Sequence, residues 1–266
     1  MNNDSVSNDD YEGVINTVND VIRALNEVPS EFYSLTDYYY QDGEIKGGDK
    51  IRNPELRFMK AFAIQFDKLF EKKLAYKRLK YDFEIPKRFM WSERADVNIR
   101  ETFLALKNKH GHEIDMIKYF TTVPDFLVHA GQSNMKAVSQ NLIIEAKLNS
   151  NPKKAEIFKD IFHTFIYSNE YNFQCSIMLL VNLDKEKWVK LFKEYIENGW
   201  YFGELEKTKK IFVIFKESYK AKPIYHTLFD LFLNPICPKC YQFMVNRTVK
   251  NGVNAGITCW GCSLFP

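Results

Sequence analysis

An alternation of helix and strand patterns along residues 93–216 restricts the fold of this chain more than any other feature. Short, mostly apolar runs that suit strands alternate there with longer runs that have helical spacing. In chain order the predicted elements are a helix over 93–109, strands over 122–129 and 141–147, a helix of about 16 residues after Pro152, a strand over 173–181, a helix over 185–198 and a strand over 211–216. This order predicts an α/β sandwich in which helices flank a mixed central β-sheet.

The N-terminal part of the chain predicts helices instead. Apolar residues at helical spacing over 11–28 end at Pro29, and a second helical pattern begins at Pro54. The stretch between them, with its tyrosine run and Gly47-Gly48, predicts loop or irregular structure. We therefore divide the chain into an N-terminal helical region (1–85), an α/β core (86–230) and a C-terminal module (231–266).

Charge is distributed unevenly along the chain. Residues 1–50 carry 11 acidic and 3 basic side chains, although the whole protein has a net charge of +3. Lysines and arginines at the far end of the second helix (68–80) form either a solvated helix face or a DNA contact. A basic body is consistent with a polyanionic partner. No apolar run is long enough to span a bilayer and the N-terminus is polar and acidic, so we expect a cytoplasmic protein without membrane contact.

Two charged residues stand at the end of an otherwise apolar strand, in the sequence LIIEAK. Side chains alternate between the faces of a strand, so Glu145 and Lys147 point to one face and Ile144 and Ala146 to the other. Charged groups are costly to bury unless they are paired or bind a metal ion. The pattern indicates either a metal-dependent site or a surface ion pair at a strand end.

Asp125 begins the preceding strand pattern, PDFLVH. The turn-forming sequence AGQSN (130–134) follows that pattern and predicts a hairpin, which would bring Asp125 beside Glu145. Two carboxylates and one ammonium group suit phosphodiester hydrolysis. The carboxylates can hold Mg²⁺, and the ammonium group can orient water or stabilise charge on phosphorus.

Pro124-Asp125 followed by Glu145-Ala146-Lys147 resembles the signature of the PD-(D/E)XK nucleases, which include many restriction endonucleases. The resemblance covers about residues 90–220 and implies a restriction-endonuclease-like core. It also implies that Asp125 and Glu145 bind Mg²⁺, with the Ala146 carbonyl as a further ligand, and that Lys147 is the catalytic lysine. The family often adds an acidic residue from the helix before the first core strand. Glu101 is the best match, with Glu93 and Asp96 as alternatives.

The histidines near these segments give weaker indications of a functional role. His129 would share a strand face with Asp125, where it either lines the site or has a packing or surface role. His110-Gly111-His112 lies in a predicted helix-terminating loop and lacks the other ligands that a metal site needs.

Four of the five cysteines lie in the last thirty residues, as Cys237-Pro-Lys-Cys240 and Cys259-Trp-Gly-Cys262. Two CxxC pairs separated by 18 residues resemble a zinc ribbon, in which four thiolates bind one structural Zn²⁺. Asn251-Gly252 predicts a hairpin turn between the pairs. Two disulfides are the alternative, but nothing indicates an oxidising compartment. The fifth cysteine, Cys175, lies in an apolar run and predicts a buried core residue.

A module of this size cannot build a sufficient core, so the metal would be needed for it to fold. Such a ribbon could reach phosphates through Lys239, Arg247 and Lys250, or it could only pack against the core or form a dimer contact.

The sequence thus predicts a Mg²⁺-dependent DNA endonuclease with a structural zinc ribbon. The resemblance suggests restriction or phage defence, and cutting of double-stranded DNA would favour a homodimer. Two alternatives stay open: a repair, recombination or RNA-directed nuclease of the same fold, and a non-catalytic zinc-ribbon protein that binds nucleic acid.

Overall fold

In the computed structural model, five helices and ten strands are described from end to end, and further helical residues lie within 101–109. The structure describes residues 8–73, 76–83, 101–102, 104–105, 107–109, 123–130, 136, 139–149, 151–201, 203–233, 237, 239 and 244–262. The helices are α1 (Asn8–Asn26), α2 (Pro54–Phe70), α3 (Lys154–Asn169), α4 (Lys185–Glu197) and α5 (Leu228–Leu233). The strands are β1 (Thr36–Gln41), β2 (Glu44–Lys50), β3 (Lys80–Asp82), β4 (Phe126–His129), β5 (Gln140–Leu148), β6 (Cys175–Val181), β7 (Ile211–Lys216), β8 (Ile224–Thr227), β9 (Met244–Thr248) and β10 (Thr258–Cys262).

A six-stranded mixed sheet in the order β3-β4-β5-β6-β7-β8 forms the centre of the molecule. Strands β3, β4 and β5 pair antiparallel, β5, β6 and β7 pair parallel, and β8 closes the sheet antiparallel to β7. Every residue of β6 and β7 is buried, as expected for parallel strands covered on both faces. The predicted α/β class with a mixed central sheet is confirmed.

Helices cover the two faces of this sheet and give it two cores. Helices α1 and α2 pack with one set of strand residues, which includes Ile144 and Ala146. Helices α3 and α4 pack with the alternate set, which includes Ile143. The two faces of one strand therefore belong to two different hydrophobic clusters, as the period of two requires.

The N-terminal region belongs to this architecture. Val18 and Val21 of α1 and Phe62 of α2 are fully buried in the same cluster as residues of β4 to β7. Lys80–Asp82, within the region expected to be helical, is the edge strand β3 of the central sheet. Helices α1 and α2 and strand β3 thus pack with or pair into the central sheet.

A hairpin replaces the loop that the sequence predicted between the first two helices. Strands β1 and β2 pair antiparallel around Asp42 and Gly43, whose φ angles are +54° and +83°. Positive φ at both turn residues is the geometry of the tight hairpin turns that Asp-Gly favours.

Later elements lie close to their predicted positions. Helix α3 has 16 residues and β7 spans 211–216, both as expected. Of the helix predicted over 93–109, residues 101–102, 104–105 and 107–109 are helical, and the others fall outside the described residues. In the described part of the chain, no helix combines the length and the apolar character needed to cross a membrane.

Candidate functional site

Pairing of β4 with β5 fixes the position of Asp125. The register sets Phe126 opposite Ile144, so the residue before Phe126 lies beside Glu145. The Oδ2 atom of Asp125 accepts a hydrogen bond from the Ala146 amide at 2.6 Å. The predicted antiparallel pairing is confirmed, whereas residues 131–135 of its turn fall outside the described residues.

Glu145 and Lys147 face α3. The alternating residues Ile144, Ala146 and Leu148 belong to the core on the other face of the sheet, which α1 and α2 cover. The Glu145 side chain is buried, and its Oε1 atom accepts a hydrogen bond of 2.5 Å from the Tyr167 hydroxyl. The same oxygen lies 3.8 Å from Nδ1 of His163. Two side chains of α3 therefore hold the glutamate at one orientation.

The ammonium group of Lys147 joins two helices. Its Nζ atom lies 3.1 Å from Oδ2 of Asp160 on α3 and 3.4 Å from Oε2 of Glu55 on α2. Asp160 is 2% exposed, and its other oxygen lies 3.2 Å from the ammonium group of Lys159. Lys147 is thus held among carboxylates at the end of β5.

Glu55 reaches this point from the first turn of α2. Pro54 occupies the start of the helix, and the backbone amide of Leu148 donates a 3.4 Å hydrogen bond to Oε1 of Glu55. Proline at the first helical position costs no hydrogen bond, since that amide has no partner within a helix.

Glu101, the acidic residue favoured by the sequence, is solvent-exposed, whereas Glu55 is the glutamate that contacts Lys147. Helix α2 precedes β3, the first strand of the central sheet, and packs against β5. The alternatives Glu93 and Asp96 lie outside the described residues.

Negative charge is concentrated at this site. Burial, followed by repulsion from Glu145, raises the pKa of Asp125 well above its ordinary value, although the Ala146 amide opposes the shift. Burial also raises the pKa of Glu55 against the attraction of Lys147. Burial acts to lower the pKa of Lys147, but the carboxylates of Asp160 and Glu55 outweigh it, and the pKa rises. The lysine therefore stays protonated, and a cation near Asp125 would relieve the repulsion.

Besides Glu55, three residues of α3 escaped the sequence analysis: Asp160, His163 and Tyr167. Their spacing of three and then four residues places them on one helix face. Their polarity was the sequence signal that could have identified them. Helix α3 is buried on nearly all sides, so polar side chains among its apolar residues indicate a site.

The donor set fits a hard cation such as Mg²⁺. Carboxylate oxygens of Asp125 and Glu145 and the Ala146 carbonyl are the ligand types it prefers, and it usually binds through only one or two carboxylates. Within the described residues, no group of three or more His, Cys, Asp or Glu side chains has the arrangement to hold a metal ion. A Mg²⁺ site here would rest on two carboxylates and water.

His129 has a packing role. It is fully buried, and its Nε2 atom lies 2.7 Å from Oδ2 of Asp82 on the edge strand β3. A β-bulge between Val128 and His129 shifts the register at this end of β4. The cluster His110-Gly111-His112 lies outside the described residues.

The C-terminal segment forms the predicted hairpin. Strands β9 and β10 pair antiparallel, with Cys259 opposite Arg247 and Cys262 opposite Met244. Cys237 is buried and Cys259 is exposed, while Cys240 lies outside the described residues. Cys175, the fifth cysteine, is buried in β6 as expected, and burial raises the pKa of its thiol.

Comparison with known proteins identifies no relative: no protein-family model, curated protein or solved structure matches the chain.

Proposed function

We propose that this protein is a Mg²⁺-dependent nuclease of the PD-(D/E)XK type, which hydrolyses phosphodiester bonds in DNA. The observation that carries the proposal is the convergence of Glu55, Asp125 and Glu145 with Lys147 at one end of β5. The order of elements adds support, because α2, β3, β4, β5, α3 and β6 come in the order helix, three strands, helix and strand, with the helical residues of 101–109 between β3 and β4. Glu55 then occupies the position at which the family often adds an acidic residue.

Each side chain of the site has a separate role in the proposed reaction. Asp125, Glu145 and the Ala146 carbonyl bind the metal ion, and Glu55 and Asp160 hold the ammonium group of Lys147 at the scissile phosphate. Bound Mg²⁺ supplies Lewis-acid polarisation of the phosphate and lowers the pKa of a water molecule. Lys147 orients the attacking water and stabilises the charge that develops on the phosphoryl oxygens. Tyr167 keeps Glu145 in its ligating orientation through its hydrogen bond.

For the C-terminal module we propose a structural Zn²⁺ bound by Cys237, Cys240, Cys259 and Cys262. The assignment rests on the two CxxC pairs, which together supply four thiolates for one ion. A cytosolic location would keep these thiols reduced.

Double-stranded DNA is the substrate that we propose, with a homodimer that cuts both strands and a role in restriction or phage defence. The decisive experiment incubates the protein with duplex DNA, single-stranded DNA and RNA, with Mg²⁺ or EDTA. We expect Mg²⁺-dependent cleavage of duplex DNA that Lys147→Ala abolishes and that Lys153→Ala, an exposed lysine before α3, leaves unchanged. Cleavage of RNA alone would favour the RNA-directed alternative. Cleavage that survives Lys147→Ala, or no cleavage of any substrate, would contradict the proposal.

A further inference from the structure

A groove of about 430 Å³ runs along the exposed side of α2, the helix whose inner side carries Glu55 of the candidate site. Its walls come from the chain just before α2, from the first three turns of that helix and from the short helical turn Ser30–Tyr33. The helix portion from Asn53 to Ile64 is about 17 Å long at a rise of 1.5 Å per residue. The groove is therefore long enough to follow several phosphates of a nucleic-acid strand.

Three cations line this groove: Arg52, Arg57 and Lys60. Arg52 and Lys60 are solvent-exposed, so their charges are available to a ligand. The guanidinium of Arg57 lies 5.1 Å from the centre of the Phe32 ring, a cation–π contact that restricts its orientation. Among the described residues that form the walls, none is acidic. The groove thus presents three positive charges close together, and the contact with Phe32 restricts the orientation of one of them, Arg57.

The groove and the candidate site share one helix. Glu55, which contacts Lys147, lies in the first turn of α2, on the inner side of the helix with the buried Phe62, whereas Arg57 and Lys60 lie on the opposite, solvent side. Asn53 adopts a left-handed conformation with φ of +54°, so the chain turns sharply there and sets Arg52 beside the start of the helix. Phosphate contacts of such cations set the position and orientation of a nucleic acid relative to the site on the inner side of the helix.

Resting on the function proposed above, we infer that this groove binds the sugar–phosphate backbone of the DNA at a distance from the scissile phosphate, across α2 from the candidate site. Arg52, Arg57 and Lys60 contact phosphates, and the exposed side chain of Ile64 (62%) provides an apolar surface for the sugars. Charge complementarity favours a polyanion, and the carboxylate–lysine site on the inner side of the same helix favours a phosphodiester over an acidic protein segment. The contact is with the backbone, so it is independent of base sequence.

Fluorescence anisotropy with a labelled duplex DNA in EDTA tests the groove separately from catalysis. The double variant Arg52→Ala/Lys60→Ala leaves the candidate catalytic residues intact. The matched control Lys68→Ala/Lys72→Ala removes two exposed lysines from the other end of α2 and the residues after it. We expect the groove variant to bind at least about tenfold more weakly at low salt. The slope of log K against log[salt] should fall by about two, since each lost phosphate contact contributes about 0.9.

The outcomes separate the groove from the proposed nuclease activity. Equal losses in the groove variant and the control would overturn the groove as a specific site, as would unchanged binding or no binding of DNA by the wild type. A selective loss of binding in a protein that cleaves no substrate would retain the groove and reject the nuclease. A polyaspartate peptide that competes better than unlabelled DNA of equal charge would overturn the inference in favour of an acidic protein partner.

Discussion

The positive charge of Lys147 balances the negative charges of carboxylates from two helices. Its ammonium group lies within 3.4 Å of carboxylate oxygens of both Glu55 and Asp160, and its side chain is 12% exposed. Removal of one partner from a buried ion pair leaves an uncompensated charge, which is the main reason that such pairs are sensitive to mutation. The carboxylates therefore determine both where the lysine points and whether it stays protonated.

Glu55→Gln and Glu101→Gln form a matched pair that compares the contact seen in the structure with the residue favoured by the sequence. Glu55→Gln keeps the size of the side chain but removes the charge that positions Lys147, so we expect Mg²⁺-dependent cleavage to fall about 10- to 100-fold. Glu101 is exposed, and its substitution should leave cleavage unchanged. Initial rates on duplex DNA measure both effects. The reverse pattern would assign the acidic role to Glu101.

Asp125 should give the protein an unusual pH dependence of stability. Burial and Glu145 raise its pKa in the folded state, so above the ordinary value of about 3.9 the folded chain binds more protons than the unfolded chain. Stability attributable to Asp125 therefore decreases as the pH rises toward the folded-state pKa. Without divalent cations, we expect wild type to lose about 1.4 kcal/mol of unfolding free energy per pH unit of that window, relative to Asp125→Asn.

Urea denaturation of both proteins between about pH 4 and pH 7 measures this difference. Added Mg²⁺ should diminish it, because a bound cation favours the ionised carboxylate. Parallel pH profiles for wild type and Asp125→Asn would show that the carboxyl is not destabilised by folding.

At the scale of elements, hydrophobic periodicity was sufficient to locate each helix or strand that buries an apolar face. Strands β5 and β7 and helix α3 have such faces, and the sequence located them within a few residues. Strands β1 and β2 have mostly polar sequences without apolar alternation, so the Asp42-Gly43 turn alone marked their hairpin. Three residues of β3 are too few to show a period.

The residues of the candidate site also differ in whether local sequence patterns predict them. Asp125, Glu145 and Lys147 were predictable, because a strand period and one hairpin bring them together. The contact of Glu55 with Lys147 joins residues far apart in the chain and depends on how α2 packs on β5, which no local spacing encodes.

Zinc binding by the C-terminal module can be tested at this scale with two cysteine variants. We expect freshly reduced wild type to contain about one zinc per chain, because two CxxC pairs supply four thiolates. Cys240→Ser should reduce the zinc content toward zero, whereas Cys175→Ala, which alters the buried cysteine of β6, should retain it. Elemental analysis after gel filtration gives the result. Zinc near zero in the wild type, or equal content in both variants, would contradict the assignment.

At the scale of the whole molecule, the two cores share the central sheet, so neither set of helices can leave without exposing one of its faces. Helix α1 contributes Val18, Val21 and Leu25, each fully buried, to the cluster that includes strands β4 to β7. Full burial of one such side chain stabilises a protein by about 1.5–3 kcal/mol. Three of them account for a large part of a typical unfolding free energy of about 5–15 kcal/mol.

Deletion of residues 1–28 should therefore abolish cooperative folding of the entire chain, rather than remove a dispensable N-terminal region. Deletion of residues 1–7 is the control, since it ends before α1 begins at Asn8. Circular dichroism during heating and gel filtration measure both proteins. We expect the shorter deletion to unfold like the wild type and the longer one to aggregate or to lose its transition. A deletion of residues 1–28 that unfolds cooperatively at the wild-type temperature would show that α1 is dispensable, because the sheet face it covers would then be stable without it.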